Sequence, residues 1–419
     1  MTAPATPWLP AAPLAPDELA RLRRRAIFDC CKWDPQVEDG AALADAPLVL
    51  RAGAWRELAA LAELLAAETL AAEEELVGRP ELHAALGLPP AWWGGGRGAA
   101  AAELAHAGRR PPVSAARLIR FDFHHTRDGW RISEANTDVP GGLNEASGIA
   151  RLVASHYPGA EPVGDTAGLY ARALVASGRP SPHVALVHAT AYTDDRQVMT
   201  YLARRLEELG ASATLASPAN LQWRGGRAHI AADWRSGPVD LVMRFFPAEW
   251  LPNLPRACGW SAFFHGAITP MSNPATALLT QSKRFPLVWS ALRTPLPTWR
   301  ALLPETRDPR DVPWRDAARG DDWVLKPALG RVGEDIAMRG VTGEKEWRTL
   351  AREARRHPRD WVAQRRFEAT PLENACGVPV YPCVGVYTVG TQVAGAYGRL
   401  APKPLIDWRA QDVAVLAAA

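Results

Sequence analysis

The chain has 419 residues, 47% hydrophobic and 22% charged, with a formal net charge of +3. That length exceeds one ordinary core and implies two or three domains of a soluble globular protein. The small charge and scattered arginines exclude a nucleic-acid footprint, and no stretch reads as a membrane span.

The first residues, MTAPATPWLPAAPLAP, read as a flexible lead-in, because they lack the basic and apolar regions of a signal peptide. Cys30, Cys31, Cys258, Cys376 and Cys383 form no CxxC pair and are odd in number, which fits reduced thiols in a cytoplasm. Residues 16–33 predict a helix capped by Asp17. Residues 54–76 predict the clearest helix, with apolar residues recurring at three and four; its acidic end reads as a solvated face. A short helix is expected over 79–87. Gly94 to Gly98 reads as a linker, since no strand precedes it and no Gly-Lys-Ser ending follows.

Residues 116–136 predict a strand, a turn at Thr126 to Gly129 and a second strand. Period-2 alternation puts Arg120 and Asp122 on one face of the first strand, and Glu134 and Asn136 on one face of the second. An odd-length loop would set Asp122 opposite Glu134. Two carboxylates and an amide oxygen on rigid strands suit Mg²⁺ that also holds nucleotide phosphates. The same alternation also fits a strand pair with one buried and one solvated face.

Pro140 to Asn144 reads as a glycine-rich turn into a helix at 144–156, either an anion-binding helix start or a simple tight turn. From residue 183 the grammar is strand, helix, strand, strand, an α/β unit with parallel strands. Asp194 and Asp195 fall between a strand end and a helix start. They either recognise a cationic substrate or cap the helix. Residues 274–292 predict a helix as far as Phe285-Pro286, with Lys283 near its end, and 303–321 a surface loop. Trp323 to Ile336 predicts strand, glycine-containing loop, strand. Lys326 and Arg331 beside Gly330 and Gly333 suit a mobile lid over triphosphate, or an ordinary basic hairpin. A helix at 344–356 and strands at 361–367, 380–389 and 392–398 follow. No His/Cys cluster has zinc-ligand spacing.

Together these motifs resemble the ATP-grasp superfamily, and within it the glutathionylspermidine synthetase-like ligases. Arg120-x-Asp122, with Glu134-x-Asn136 after it, resembles the Mg²⁺ set, and Asn136-Thr-x-x-Pro-Gly is similar to the version in D-alanine–D-alanine ligase. Gln281-Ser-Lys283 after Asn273-Pro274 and Lys326-Pro-x-x-Gly330-Arg331-x-Gly333 resemble the ATP-contact segments. Gly395-x-x-Gly398-Arg399 resembles the terminal strand. The metal set precedes the lid lysine, as in the circularly permuted branch.

The resemblance implies an α/β (α+β) fold: a circularly permuted ATP-grasp with a Rossmann-like pre-ATP-grasp domain and N-terminal helices. The expected divisions are a lead-in at 1–15, N-terminal helices with the Mg hairpin at 16–155 and the pre-ATP-grasp domain at 156–268. An ATP-binding lobe with its lid at 269–405 and a tail at 406–419 follow. It implies that Asp122, Glu134 and Asn136 bind Mg²⁺. Lys283, Lys326, Gly330, Arg331, Gly333 and Gln364 would bind ATP, with Gln364 and the following hinge at adenine. Arg120 and Arg399 would stabilise the transition state, and Asp194 and Asp195 match the acidic pair that holds a polyamine. The expected activity is an ATP-dependent carboxylate–amine ligase acting through an acyl phosphate on small-molecule or peptide substrates. A kinase on the same fold and a non-catalytic nucleotide-binding module are the alternatives. Arg399-Leu400 in place of Arg-Glu, and Arg244-Phe245-Phe246 in place of Lys-Thr-Trp, depart from the family pattern on the substrate side and leave the acid and amine open.

Overall fold

The computed structural model describes residues 6–33, 36–37, 40–88, 114–316, 320–330, 335–374 and 376–418. Arg331, Gly333 and the Gly94–Gly98 run lie outside the described residues.

Helix α1 spans Pro16–Cys30. Its N-cap is Ala15, not Asp17; Pro16 opens the helix, and Asp17 and Glu18 sit in the first turn, where carboxylates favour the helix dipole. Helix α2 spans Ala52–Val77 and buries Leu58, Ala62, Leu65, Ala66, Thr69, Ala72 and Leu76, the predicted three-and-four stripe. Its acidic end is not simply solvated. Glu73 is buried and takes two hydrogen bonds from Arg117, at 3.0 and 2.8 Å. Glu75 accepts the backbone N–H groups of Arg293 and Thr294, both at 2.8 Å. A carboxylate inside a packed helix face needs such partners, because its desolvation is otherwise uncompensated.

The centre of the molecule is a nine-stranded sheet. Its strands, in chain order, include β1 (Trp8–Leu9), β2 (Leu48–Leu50), β3 (Leu118–Thr126) and β4 (Gly129–Asn136). The spatial order begins β1-β2 and ends β3-β4. Between these pairs lie three strands from the far end of the chain, Gln411–Ala418, Gln392–Ala401 and Pro379–Val389 in that order. The stretch expected as a tail therefore supplies an interior strand, with Val413 to Leu416 buried. Within the expected lead-in, β1 pairs with β2, because Trp8 is buried against Trp130.

A second sheet is wholly parallel and holds β5 (His183–Val187), β6 (Ser212–Ala216) and β7 (Leu241–Arg244), with Met271–Ser272 at its edge. The helical segment Glu145–Ala154, which opens with a π-turn, lies ahead of this unit. Helix α3 (Thr166–Ala176) also precedes it, and α4 (Thr193–Glu207) connects β5 to β6. This is the α/β unit that the strand–helix alternation predicts.

A third, antiparallel sheet is formed by Thr306–Arg307, β8 (Trp323–Pro327), β9 (Ala337–Met338) and β10 (Trp361–Arg365). Helix α5 (Glu344–Arg356) packs on it through Leu350, Ala351 and Ala354. The helix expected from residue 274 to Phe285-Pro286 is instead two short turns, Ala275–Ala277 and Leu278–Gln281, with a further turn at Phe285–Ala291. Pro274 and Pro286 sit at the starts of two of them, where a missing N–H costs nothing. The last strands of the central sheet are β11 (Pro379–Val389), β12 (Gln392–Ala401) and β13 (Gln411–Ala418).

Candidate active site

The β3–β4 hairpin closes through Arg127 and Asp128, with Thr126 opposite Gly129. A regular ladder from that turn would set Asp122 opposite Ser133 and turn Glu134 into the core. The structure sets Asp122 opposite Glu134 and Arg120 opposite Asn136, because the register shifts between Asp122 and Phe123. Ser133 is the extra residue of a bulge. The odd residue that the expected pairing requires thus lies in the strand and not in the loop. The bulge also turns the Ser133 carbonyl toward the neighbouring lobe, where it accepts from Lys326 Nζ at 3.1 Å.

Arg120 and Asp122 form a two-bond pair, Nε to Oδ1 at 2.7 Å and Nη2 to Oδ2 at 3.0 Å. Asn136 Nδ2 donates to Asp122 Oδ2 at 3.2 Å. Behind Arg120 lies β11, where Gly385 pairs with Asp122. A Cβ on Gly385 would come within 2.8 Å of Arg120 Cδ and 3.1 Å of Tyr397. The missing side chain lets the guanidinium lie over the Tyr397 ring, 5.2 Å from its centre. Arg120 Nη1 donates to the Gly141 carbonyl at 3.2 Å, so the glycine-rich turn meets the hairpin.

Three side chains arrive from other segments. Lys326 on β8 donates to Gln364 Oε1 on β10 at 2.7 Å. Lys283 pairs with Glu134 at 3.1 Å and donates to the Gly330 carbonyl at 2.6 Å. Gln281 holds the base of the hairpin, its Oε1 accepting from Thr137 N at 2.7 Å and Asp138 N at 3.0 Å. Asn273 clamps the same place, accepting from Leu118 N and donating to the carbonyls of Leu118, Thr137 and Asp138.

The hairpin, β8 to β10 and β11 to β12 line a cleft. Asp122 and Glu134 line one side, and Lys326, Gln364 and Arg366 the other. Val324, Ile336, Met338 and Phe367 give it an apolar wall, and Arg399 stands at the β12 end with Nη2 donating to the Asp407 carbonyl at 2.6 Å.

The electrostatics follow from this convergence. Burial works against the Glu134 charge, but the Lys283 and Lys326 ammoniums overcome it and hold its pKa down near 2. Burial lowers Lys326 to about 8, while Glu134 pulls it back up. Burial and Lys326 together depress His124 to about 3, so it is a neutral imidazole, hydrogen-bonded to Ser133 Oγ at 3.1 Å. Burial pushes the Cys383 thiol well up, and the nearby Asp122 charge adds to it.

Of the expected residues, Asp122, Glu134, Lys326, Gln364 and Arg399 line this cleft, and Arg120, Asn136, Lys283 and Gly330 are bonded to residues in it or beside it. Asp194 and Asp195 do not line it. They occupy the first turn of α4, where Asp194 Oδ1 accepts from Gln197 at 3.2 Å. Next to them the exposed Tyr192 ring packs on Trp250, which also meets Phe246. Sequence reasoning passed over His124, Cys383, Gly385 and Tyr397. The signal was period 2: His124 continues the Arg120, Asp122 face, and Cys383, Gly385 and Tyr387 share one face of β11.

A sequence model described as "Glutathionylspermidine synthase preATP-grasp" matches residues 47–413. No curated protein matches the chain. A solved structure from Methylobacillus flagellatus KT, which carries the provisional name gamma-glutamylcysteine synthetase, is 12% identical. The likeness covers 85% of this chain and 87% of that one, with a TM-score of 0.44. Among the described residues no helix is long and apolar enough to cross a membrane.

Proposed function

Because the chain belongs to the glutathionylspermidine synthase pre-ATP-grasp family, we propose that it is an ATP-dependent carboxylate–amine ligase of circularly permuted ATP-grasp type. The observation that carries the reading is the placement of Glu134 against Lys283, with Lys326 close enough to hold its pKa down, across a cleft that Asp122 shares.

Asp122, Glu134 and the Asn136 amide offer hard oxygen donors on two rigid strands, a set that fits Mg²⁺. Arg120, Lys283, Lys326 and Arg399 outnumber the two carboxylates, and that excess of positive charge suits a triphosphate. The Val324, Ile336, Met338 and Phe367 wall suits a nucleobase, with Gln364 at its edge. Mg²⁺ would supply charge neutralisation on the phosphates when bound.

In the proposed reaction, an oxygen of the substrate carboxylate attacks the γ-phosphorus of ATP, and the bond to the ADP oxygen breaks. An acyl phosphate and ADP result. The amine nitrogen then attacks the acyl carbon, phosphate leaves and the nitrogen gives up a proton, which yields the amide. Lys283 and Lys326 hold the phosphates. Arg120, fixed in place by Asp122 and Tyr397, and Arg399 face the negative charge that builds up in both steps. For the amine, Asp194 and Asp195 beside the Tyr192–Trp250 rings favour a cationic group, through charge and ring-face attraction. Tolerance of reduced thiols fits a cytoplasmic setting, since all five cysteines are free.

Mass spectrometry of reactions with Mg·ATP and mixed acids and amines tests the proposal. Amide product with ADP and phosphate supports it. Phosphorylated acid that no amine consumes would make the protein a kinase, and no turnover of ATP under any mixture would sink both.

A further inference from the structure

A second pocket opens between α1, the helical segment Glu145–Ala154 and α4. It shares no lining residue with the cleft. Four arginines face it: Arg25, Arg151, Arg204 and Arg205. Two of them are neutralised nearby. Arg25 pairs with Asp29 at 2.9 Å, and Arg205 with Asp165 at 2.8 Å and Glu208 at 2.5 Å.

The other two have no carboxylate partner among the described residues. Arg151 donates only to the Tyr201 hydroxyl, at 3.4 Å, and Arg204 only to the Phe28 carbonyl, at 3.1 Å. Each guanidinium carries five donors, and because both residues are exposed the remaining donors face solvent and are open to a ligand. Arg205 adds a buried Nε with no acceptor. Arg204 also sits in the last turn of α4, where the helix dipole favours it, but the dipole occupies none of its donors. The floor is rigid: a Cβ on Gly148 would come within 2.6 Å of Cys30 Sγ and 2.8 Å of the Tyr201 oxygen. Two planar cations without carboxylate partners among the described residues, lining one pocket, suit a tetrahedral oxyanion, which accepts two forked contacts at once.

We propose that this pocket is a second ligand site, for a phosphate-bearing small molecule held by Arg151 and Arg204. Binding places oxyanion oxygens between the two guanidiniums and within reach of the Tyr201 hydroxyl.

The test is thermal unfolding of the full chain titrated with inorganic phosphate at constant ionic strength, with chloride as the replaced ion. The expected result is a saturable rise in Tm. The rise persists in Glu134→Gln/Lys326→Met, which disables the cleft, and weakens about tenfold or more in apparent affinity in Arg151→Gln/Arg204→Gln. Arg151→Lys/Arg204→Lys keeps the charge and loses the forks, so it binds more weakly than wild type even if the glutamine pair folds poorly. No rise in wild type, an undiminished rise in both arginine-pair variants, or loss of the rise in the cleft variant would overturn the proposal. A stronger effect from succinate than from phosphate would also overturn it, in favour of a dicarboxylate.

Discussion

Asp122 stands opposite Glu134 across the β3–β4 ladder, although their turn alone would oppose Asp122 to Ser133. One bulged residue puts both carboxylates on the cleft face and frees a carbonyl for Lys326. Glu134→Gln keeps the shape and removes the charge between the two lysines. Turnover of ATP should fall by about a thousandfold or more, the scale of losing a principal electrostatic contact. Near-normal ADP release from this variant would remove the metal and phosphate assignment.

Gly385 gives Arg120 its path over Tyr397. Gly385→Ala should fold, since its backbone is ordinary strand, yet push Arg120 off the ring. A misplaced catalytic group of this kind costs roughly a hundredfold in rate. Steady-state kinetics should register the loss mainly in kcat, with Mg·ATP affinity nearly kept; equal kinetics in variant and wild type would leave Arg120 without a positional role.

Arg244 and Asp138 form an ion pair with no solvent exposure on either side chain. Arg244 also donates to the carbonyls of Asn273, Phe246 and Pro274, and Asp138 accepts from Ala248 N. Removing one partner strands a buried charge. Arg244→Met alone should cost about 3–5 kcal/mol in denaturant unfolding. Arg244→Met with Asp138→Leu should recover part of that loss, and a strictly additive double variant would contradict the pairing.

Asp308 accepts from Arg284 at 2.9 Å and from Arg310 at 2.8 Å. Burial raises its pKa, but the two arginines more than reverse this and hold it near 2. A carboxylate depressed in the folded state stabilises the protein above its unfolded value and loses that stability as pH falls through the folded value. The window is therefore about pH 4 down to pH 2. With the exposed Arg310 arm screened by solvent, the contribution is about 1–2 kcal/mol. Asp308→Asn should be less stable than wild type at neutral pH and converge on it below about pH 2. Parallel pH curves for the two proteins would refute the assignment.

On the ligase reading, Asp195→Asn should raise the KM for a cationic amine by about tenfold and leave Mg·ATP affinity unchanged. An unchanged amine KM would leave Asp194 and Asp195 only the part of first-turn carboxylates that favour the helix dipole.

The hairpin, the parallel α/β unit and strand β8 were legible because each is a local pattern of two or 3.6 residues. Pairing at the hairpin was legible too, but its cause was not, since a bulge leaves no mark in an alternating sequence. The short turns over 275–291 escaped because the apolar runs at 277–279 and 285–289, on either side of the polar Thr280 to Arg284, do not by themselves tell a helix from buried turns. The strand at 411–418 escaped because one of its partners, β2, comes from the other end of the chain. Tyr397 and Gly385 acquire their roles only when β11 and β12 are laid beside β3.

That sheet order has a kinetic consequence. Asp122 reaches its place only when β3 pairs with β11, whose residues follow the whole parallel unit and the third sheet in the chain. Loop-closure entropy must be met before such distant pairings are rewarded. Folding should therefore be slow relative to that of the α/β unit alone, and on the ligase reading nucleotide capture should be the last property a refolding chain regains.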